Sequence, residues 1–482
     1  MYYRRADMSR RVRGKPVRPC VLVLLFCGIL PGLATTALGS VSTTNAPSVA
    51  RAALTIPENA TAFELKETSV FDLPETVRGG FLLVTYSACG TEPDEAVRRY
   101  PVFTSDKPLY GSFQVGGEQR KPETGYHYPF AIDESRGTGQ GYDRIYIDLN
   151  LNGDLADDAC RHPMKDVPEK ALVAPGSYVA QVCFDPVTVQ VTPEDDPQHR
   201  LEVIPRFFAE KSGRSFATLM PTTVHTGTIR IGWKKFDAVL GHSRGILGWF
   251  NHPTTGLFLL PAGQPGDSPF PRWYGGTQLK AMHRSLGTYY RLSATPNGDR
   301  LFVWPYQGPF GELKIRAGER KVWTMLATGI LESRDAAISL TEGFGGNNAP
   351  TSDSYRLPVG DYGPLMLNVK LDSLSCLLLR NSHADGKPRG RAEQGPPVYA
   401  IKIREDKPFV LDFSAKPQVV FASPAKDHRV KLGSELEVKA VLVDPALDIM
   451  FRAISQGGQL NPRVVIKRAD GQVVAEGTMP FG

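Results

Sequence analysis

The sequence predicts a mainly β, multi-domain chain of antiparallel β-sandwich modules, with an immunoglobulin-like sandwich at the C-terminus. Three observations predict it. Apolar residues recur at every second position in several short runs. Two pairs of such runs meet at Asn-Gly or Asp-Gly dipeptides. The 482 residues include 39 Pro and 47 Gly, which suits a turn-rich chain, while helical periodicity is scarce.

Taken in order, residues 1–39 read as a signal peptide. Arg4, Arg5, Arg10, Arg11 and Arg13 precede the apolar run Cys20 to Leu30, and small residues follow in "ATTALGS". That run is about 11 residues, against the roughly 20 a membrane-spanning helix needs. The chain is therefore expected to be secreted, periplasmic or held at the cell surface, with no membrane span after processing. The same segment explains the net charge. It holds seven basic residues against Asp7, which accounts for the whole +6 of the chain. The remainder is balanced, so a nucleic-acid partner is not expected.

Residues 40–57 are small and polar and read as a linker. A first β domain is expected over 58–212, where Val187, Val189 and Val191 alternate with Thr188, Gln190 and Thr192. A β-rich middle region of one or two modules follows over 213–398. There Ile229, Ile231 and Trp233 alternate with Arg230 and Gly232, and Asn297-Gly298 predicts a hairpin. The immunoglobulin-like sandwich is expected over 399–482. Leu436, Val438, Ala440 and Leu442 alternate there, and Asp470-Gly471 predicts a second hairpin. The boundaries rest on Pro-, Gly- and Ser-rich stretches. Short helices are expected at 93–100 and 275–286.

Four cysteines lie beyond the leader: Cys89, Cys160, Cys183 and Cys376. An exported chain permits disulfides between them, with Cys160–Cys183 the favoured local pair, and buried free thiols fit as well. No C-x-x-C spacing is present, which argues against a structural zinc site.

One stretch carries a chemical signal. In "YDRIYIDLNLNGDLADD", Asp148, Asn150 and Asn152 fall on alternate positions, followed by Gly153, Asp154, Asp157 and Asp158. Calcium takes six to eight oxygens on a tightly curved loop, from carboxylates, amides and carbonyls. The stretch resembles the opening of EF-hand and dockerin-type loops, D-x-[DN]-x-[DN]-G. The resemblance covers this loop alone. It implies ligands at Asp148, Asn150 and Asn152, a bend at Gly153, and the Asp154 carbonyl at position 7. Ala159 stands where EF-hands carry a bidentate Glu, which leaves Asp157 and Asp158 as replacements. The entering segment "RIYI" forms a strand where an EF-hand has a helix. A strand-flanked, structural calcium site is expected, with a dissociation constant of about 10⁻⁴ to 10⁻³ M, as in extracellular modules.

A competing signal is Gly241-His242-Ser243-Arg244-Gly245. It resembles the nucleophile elbow of α/β-hydrolases, which would make Ser243 a nucleophile with Asp267 or Asp299 and His283 or His383. That fold alternates strands and helices, whereas here strand follows strand. Asp133 and Glu134 are adjacent, so on a strand they point to opposite faces and make a poor acid/base pair. His127 sits among aromatics, where a packed or half-exposed role is favoured over lining a sugar-binding surface. The reading is an exported, non-catalytic β protein with a structural calcium loop, binding a surface polymer, a carbohydrate or a protein. The alternative is a secreted serine hydrolase using Ser243.

Overall fold

The computed structural model describes residues 55–78, 85–115, 126–138, 141–167, 178–191, 200–242, 247–262, 277–317, 325–340, 354–372, 374–379, 400–413, 418–423, 429, 438–444, 449–455, 458–459, 463–467 and 470–478. The segment expected to be a leader and most of the expected linker fall outside them. Strands dominate. One four-residue α-helical turn, Glu75–Arg78, and a 3₁₀ turn, Val70–Asp72, are the helical pieces among the described residues. The chain forms two units. Residues 37–460 hold most of the sheets, and the other unit contains the hairpin Arg463–Lys467 with Val473–Thr478.

The loop of interest leaves a three-stranded antiparallel meander, Leu109–Val115, Tyr126–Asp133 and Arg144–Ile147. Alternation gives it two apolar faces. On one, Phe113, Tyr128, Phe130, Ile132, Ile145 and Ile147 meet Val187, Val189, Val191, Val203 and Phe207 of a neighbouring sheet. Each such side chain contributes on the order of 1.5–3 kcal/mol on burial. On the other face, Tyr110 and Ala131 meet Val97 and Leu155, with Tyr100, Phe103 and Tyr146 packed alongside. Leu155 belongs to the acidic loop itself and is fully buried. The loop is thus pinned to the back of the sheet from which it emerges.

The neighbouring sheet joins Ser87–Ala88, Ser215–Pro221, Arg200–Glu210 and Tyr178–Cys183, with Val187–Gln190 also on Arg200–Glu210. Arg200–Glu210 and Ser215–Pro221 are hairpin partners, from Ser215 opposite Ala209 to Pro221 opposite Val203. This pairing spans the boundary expected at 212/213. The turn-forming "EKSGRS" that suggested a linker is a tight hairpin turn, with Gly213 at φ +85°.

A second sandwich encloses Leu65, Ile229, Ile231, Leu240, Leu257, Leu292, Leu301 and Val303. The expected alternation stops at Ile231. Gly232 (φ +60°) and Trp233 form a two-residue turn, because Ile231 pairs with Lys234. The Asn297-Gly298 hairpin is as expected, joining Thr288–Ala294 to Arg300–Pro305 with Gly298 at φ +81°. So is the Asp470-Gly471 hairpin, where the Gln472 N–H donates to Asp470 Oδ1 at 2.9 Å.

Neither expected helix forms among the described residues. Residues 277–286 are strand-rich: Ala281–Ser285 pairs with Thr288–Ala294 and, in parallel, with Ala337–Ser339. The segment 93–100 is a turn followed by an extended approach to the loop, with Arg99 bridging Asp154. Sheet partners outweigh helix propensity at 281–285. Strands on the far side of the boundary expected at 399 also join earlier ones. Phe409–Asp412 runs parallel to Phe310–Arg316, Ile401–Ile403 pairs with Gly360–Leu371, and Ile449–Ser455 pairs with Leu374–Leu379. The four cysteines are free thiols, including Cys160 and Cys183. Cys183 is buried with Ile204 and Met220, and burial pushes the Cys89 thiol up to about 12.

Candidate functional site

The strand Arg144–Ile147 ends where the Asp148 N–H donates to the Pro129 carbonyl at 3.0 Å. From there the chain turns back on itself around the Asp148 side chain, which is 2% exposed. Asp148 Oδ1 accepts from the Asn152 N–H at 3.1 Å and Oδ2 from the Gly153 N–H at 2.8 Å. The next polar side chains repeat the pattern at shorter range. Asn150 Oδ1 also accepts from the Asn152 N–H at 3.1 Å, Asn152 Oδ1 from the Asp154 N–H at 2.7 Å, and Asp154 Oδ1 from the Ala156 N–H at 3.0 Å. Spacing by two residues is the reach over which Asp and Asn side chains satisfy their own backbone. The alternation seen in the sequence is thus a chain of successive turns with side-chain oxygens on the inside.

Two positions need left-handed backbone. Leu151 has φ +57° and Gly153 φ +73°. Gly153 also needs its hydrogen: a Cβ there would stand 3.0 Å from the Ala96 carbonyl oxygen and 3.4 Å from Arg98 Nε.

The closing acids return to the start of the loop. Asp157 accepts from the Asn152 amide at 2.8 Å and from the Asn150 amide at 3.4 Å. Asp158 Oδ1 accepts from the Leu149 N–H at 3.3 Å, while its Oδ2 is buried with no hydrogen-bond partner. Burial pushes the Asp158 carboxyl up to about 6, and the Asp148, Asp157 and Asp154 carboxylates push the same way against the Leu149 N–H. Asp154 is different. Arg99 holds its carboxyl below the usual range, through Nε to Oδ1 at 2.9 Å and Nη2 to Oδ2 at 2.5 Å.

All six residues singled out in the sequence therefore belong to one loop. Among the described residues, however, no three His, Cys, Asp or Glu side chains are grouped as a set able to hold a metal ion. The loop's oxygen donors are mixed, with amides beside carboxylates. Sequence reasoning missed Arg98 and Arg99. The Arg98 N–H donates to the Gly153 carbonyl at 2.7 Å and its guanidinium to the Asn152 carbonyl. Their signal was the basic pair in "EAVRRY", masked by its helical appearance.

The other candidates separate. Ser243, Asp267 and His383 lie outside the described residues. His242 is buried, with Nδ1 accepting from the Gly248 N–H at 3.0 Å and Nε2 3.2 Å from the Thr223 carbonyl. Burial lowers His283 to about 4. Asp299 takes the Thr295 hydroxyl at 2.6 Å within the Asn297-Gly298 turn. Asp133 and Glu134 are fully buried in structural bonds: Asp133 takes the Thr104 and Ser105 N–H groups, and Glu134 the Thr138 hydroxyl and the Gly141 N–H. Asp143 is held by Ser135. His127 is exposed.

Comparison with family models, curated proteins and solved structures finds no match for the chain. Its function must be argued from the residues.

Proposed function

We propose that residues 148–158 hold a structural calcium ion in an exported, non-catalytic β protein that binds a surface polymer, a carbohydrate or another protein. The observation that carries the calcium reading is the Asp158 carboxylate. Its Oδ2 is buried without a partner, beside other acids that raise its pKa. A buried carboxylate oxygen without a partner is costly, and a divalent cation would relieve it. The fit is one of chemistry. Asp148, Asn150, Asn152, Asp157 and Asp158 supply oxygens, and the Asp154 carbonyl stands at the position where related loops use backbone. Asp154's own carboxylate is committed to Arg99 and is not needed as a ligand.

The ion's role would be to fix the loop, and with it the packing of Leu155 and the Arg98–Arg99 segment on the sheet. The non-catalytic reading draws support from His242, whose two ring nitrogens are both engaged, and from the buried bonds of Asp133 and Glu134. The export reading rests on the leader.

The test is thermal unfolding of the whole protein in EDTA and in about 10 mM calcium, with Asp148→Ala alongside. At the expected affinity, calcium adds roughly 1.4–2.7 kcal/mol by mass action, a shift of a few degrees in Tm. A shift absent from Asp148→Ala supports the reading. No shift in the native sequence would sink it.

A further inference from the structure

Two neighbouring hairpin tips carry large apolar side chains into solvent. The first tip is Gly232-Trp233, between Thr223–Ile231 and Lys234–Leu240. The second is Leu286-Gly287, between Ala281–Ser285 and Thr288–Ala294. They abut: a Cβ on Gly232 would stand 2.9 Å from Ser285 Oγ and 3.3 Å from Tyr290 Oη. Trp233 is 63% exposed and Leu286 80% exposed.

The second turn is poorly served by its own residue. Leu286 (φ +48°) precedes Gly287 (φ +80°), a pair of left-handed positions where Asn-Gly is the comfortable choice. A leucine there has an unfavourable backbone and an exposed apolar side chain, so the fold gains nothing from it. Charge surrounds the tips. Arg230, Lys234 and Lys235 are exposed, and Lys234 Nζ lies 5.5 Å from the centre of the Trp233 ring. Asp237 is the one acid in these four strands, and it takes the Thr228 hydroxyl at 3.1 Å.

We propose that the paired tips dock on an anionic lipid surface, with Trp233 and Leu286 entering the headgroup region and Arg230, Lys234 and Lys235 facing acidic headgroups. Tryptophan favours the interface between water and hydrocarbon, and clustered basic residues favour anionic membranes. A leucine offers nothing to sugar hydroxyls, which separates this surface from a glycan platform. The contact is peripheral, and it is independent of the calcium loop.

The test uses the whole protein with phosphatidylcholine vesicles, with and without phosphatidylglycerol, carrying brominated acyl chains that quench nearby tryptophan. Quenching is expected with phosphatidylglycerol, falling as salt rises, and its main component should vanish in Trp233→Phe. Leu286→Asn should keep or raise the Tm, because Asn tolerates the left-handed turn, yet weaken vesicle binding about tenfold. Equal quenching in the native protein and Trp233→Phe would overturn the proposal. So would undiminished binding by Leu286→Asn, or indifference to headgroup charge. Retention on an insoluble polysaccharide that depends on Trp233, without quenching by lipid, would also overturn it.

Discussion

Arg99 clasps Asp154 across the acidic loop, with both guanidinium contacts on one carboxylate, at 2.9 and 2.5 Å. The pairing separates two roles that the sequence runs together. A paired, fork-on-fork carboxylate orients the chain, while a metal ligand must have an oxygen to give. Asp154→Ala should therefore lower the Tm in EDTA yet leave the calcium-dependent rise near its native size. Asp148→Ala should abolish that rise, because Asp148 organises the Asn152 and Gly153 amides at the loop's centre. Calorimetric titration with calcium checks both. Equal loss in the two variants would mean that the Asp154 side chain is itself a ligand.

Asp158 gives a pH prediction of definite sign. Its carboxyl is raised to about 6 in the folded protein, from an ordinary value of 3.8. Between those values the folded state holds the proton more tightly than the unfolded state. The metal-free loop's contribution is thus most favourable below about 4 and is lost as pH rises through about 6. Calcium should reverse the trend, because binding requires the ionised form, and its affinity should fall as pH drops below about 6. Asp158→Asn should raise the Tm at pH 7 in EDTA and shrink the calcium shift. A fall in Tm for this variant in EDTA would show that the carboxylate is already satisfied without a metal.

The contrast between these neighbours shows what the sequence could and could not convey. Alternation at Val187, Val189 and Val191 translates directly into one buried face, because a strand's side chains alternate by geometry. The loop's residues were equally legible, since Asx turns are local. What was not legible is non-local. Arg98 and Arg99 reach the loop from another segment, and their spacing mimics a helix. The strand at Ala281–Ser285 also looked helical, and its partners at Thr288–Ala294 and Ala337–Ser339 decide it. The strand pairing across the boundary expected at 212/213 was not legible for a related reason. A Gly-containing turn spells the same in a hairpin as in a linker.

Gly153 should resist substitution for two separate reasons. Its φ of +73° costs an L-residue roughly 1–2 kcal/mol. An added methyl would also stand 3.0 Å from the Ala96 carbonyl oxygen, a close contact with backbone. Gly153→Ala should lower the Tm in EDTA and in calcium alike. Leu151→Gly, at φ +57° and with its side chain exposed, should be tolerated or mildly stabilising. Unfolding curves for the two variants check this, and a neutral Gly153→Ala would mean that the loop is softer than its hydrogen bonds suggest.

The serine-hydrolase alternative takes His283 or His383 as its base; His242, the histidine beside Ser243, has both ring nitrogens in other bonds. A general base needs a ring nitrogen able to reach the nucleophile. His242 Nδ1 accepts from the Gly248 N–H, which puts the proton on Nε2, facing the Thr223 carbonyl at 3.2 Å. The ring is buried against Phe250, with centroids 4.9 Å apart. It works as a fastener between segments 223, 242 and 248. His242→Asn should therefore lower stability by about 1–3 kcal/mol, the cost of stranding buried hydrogen-bonding groups. A fluorophosphonate probe should leave Ser243 unlabelled in the native protein. Labelling that disappears in Ser243→Ala would establish a reactive serine and make the molecule an enzyme.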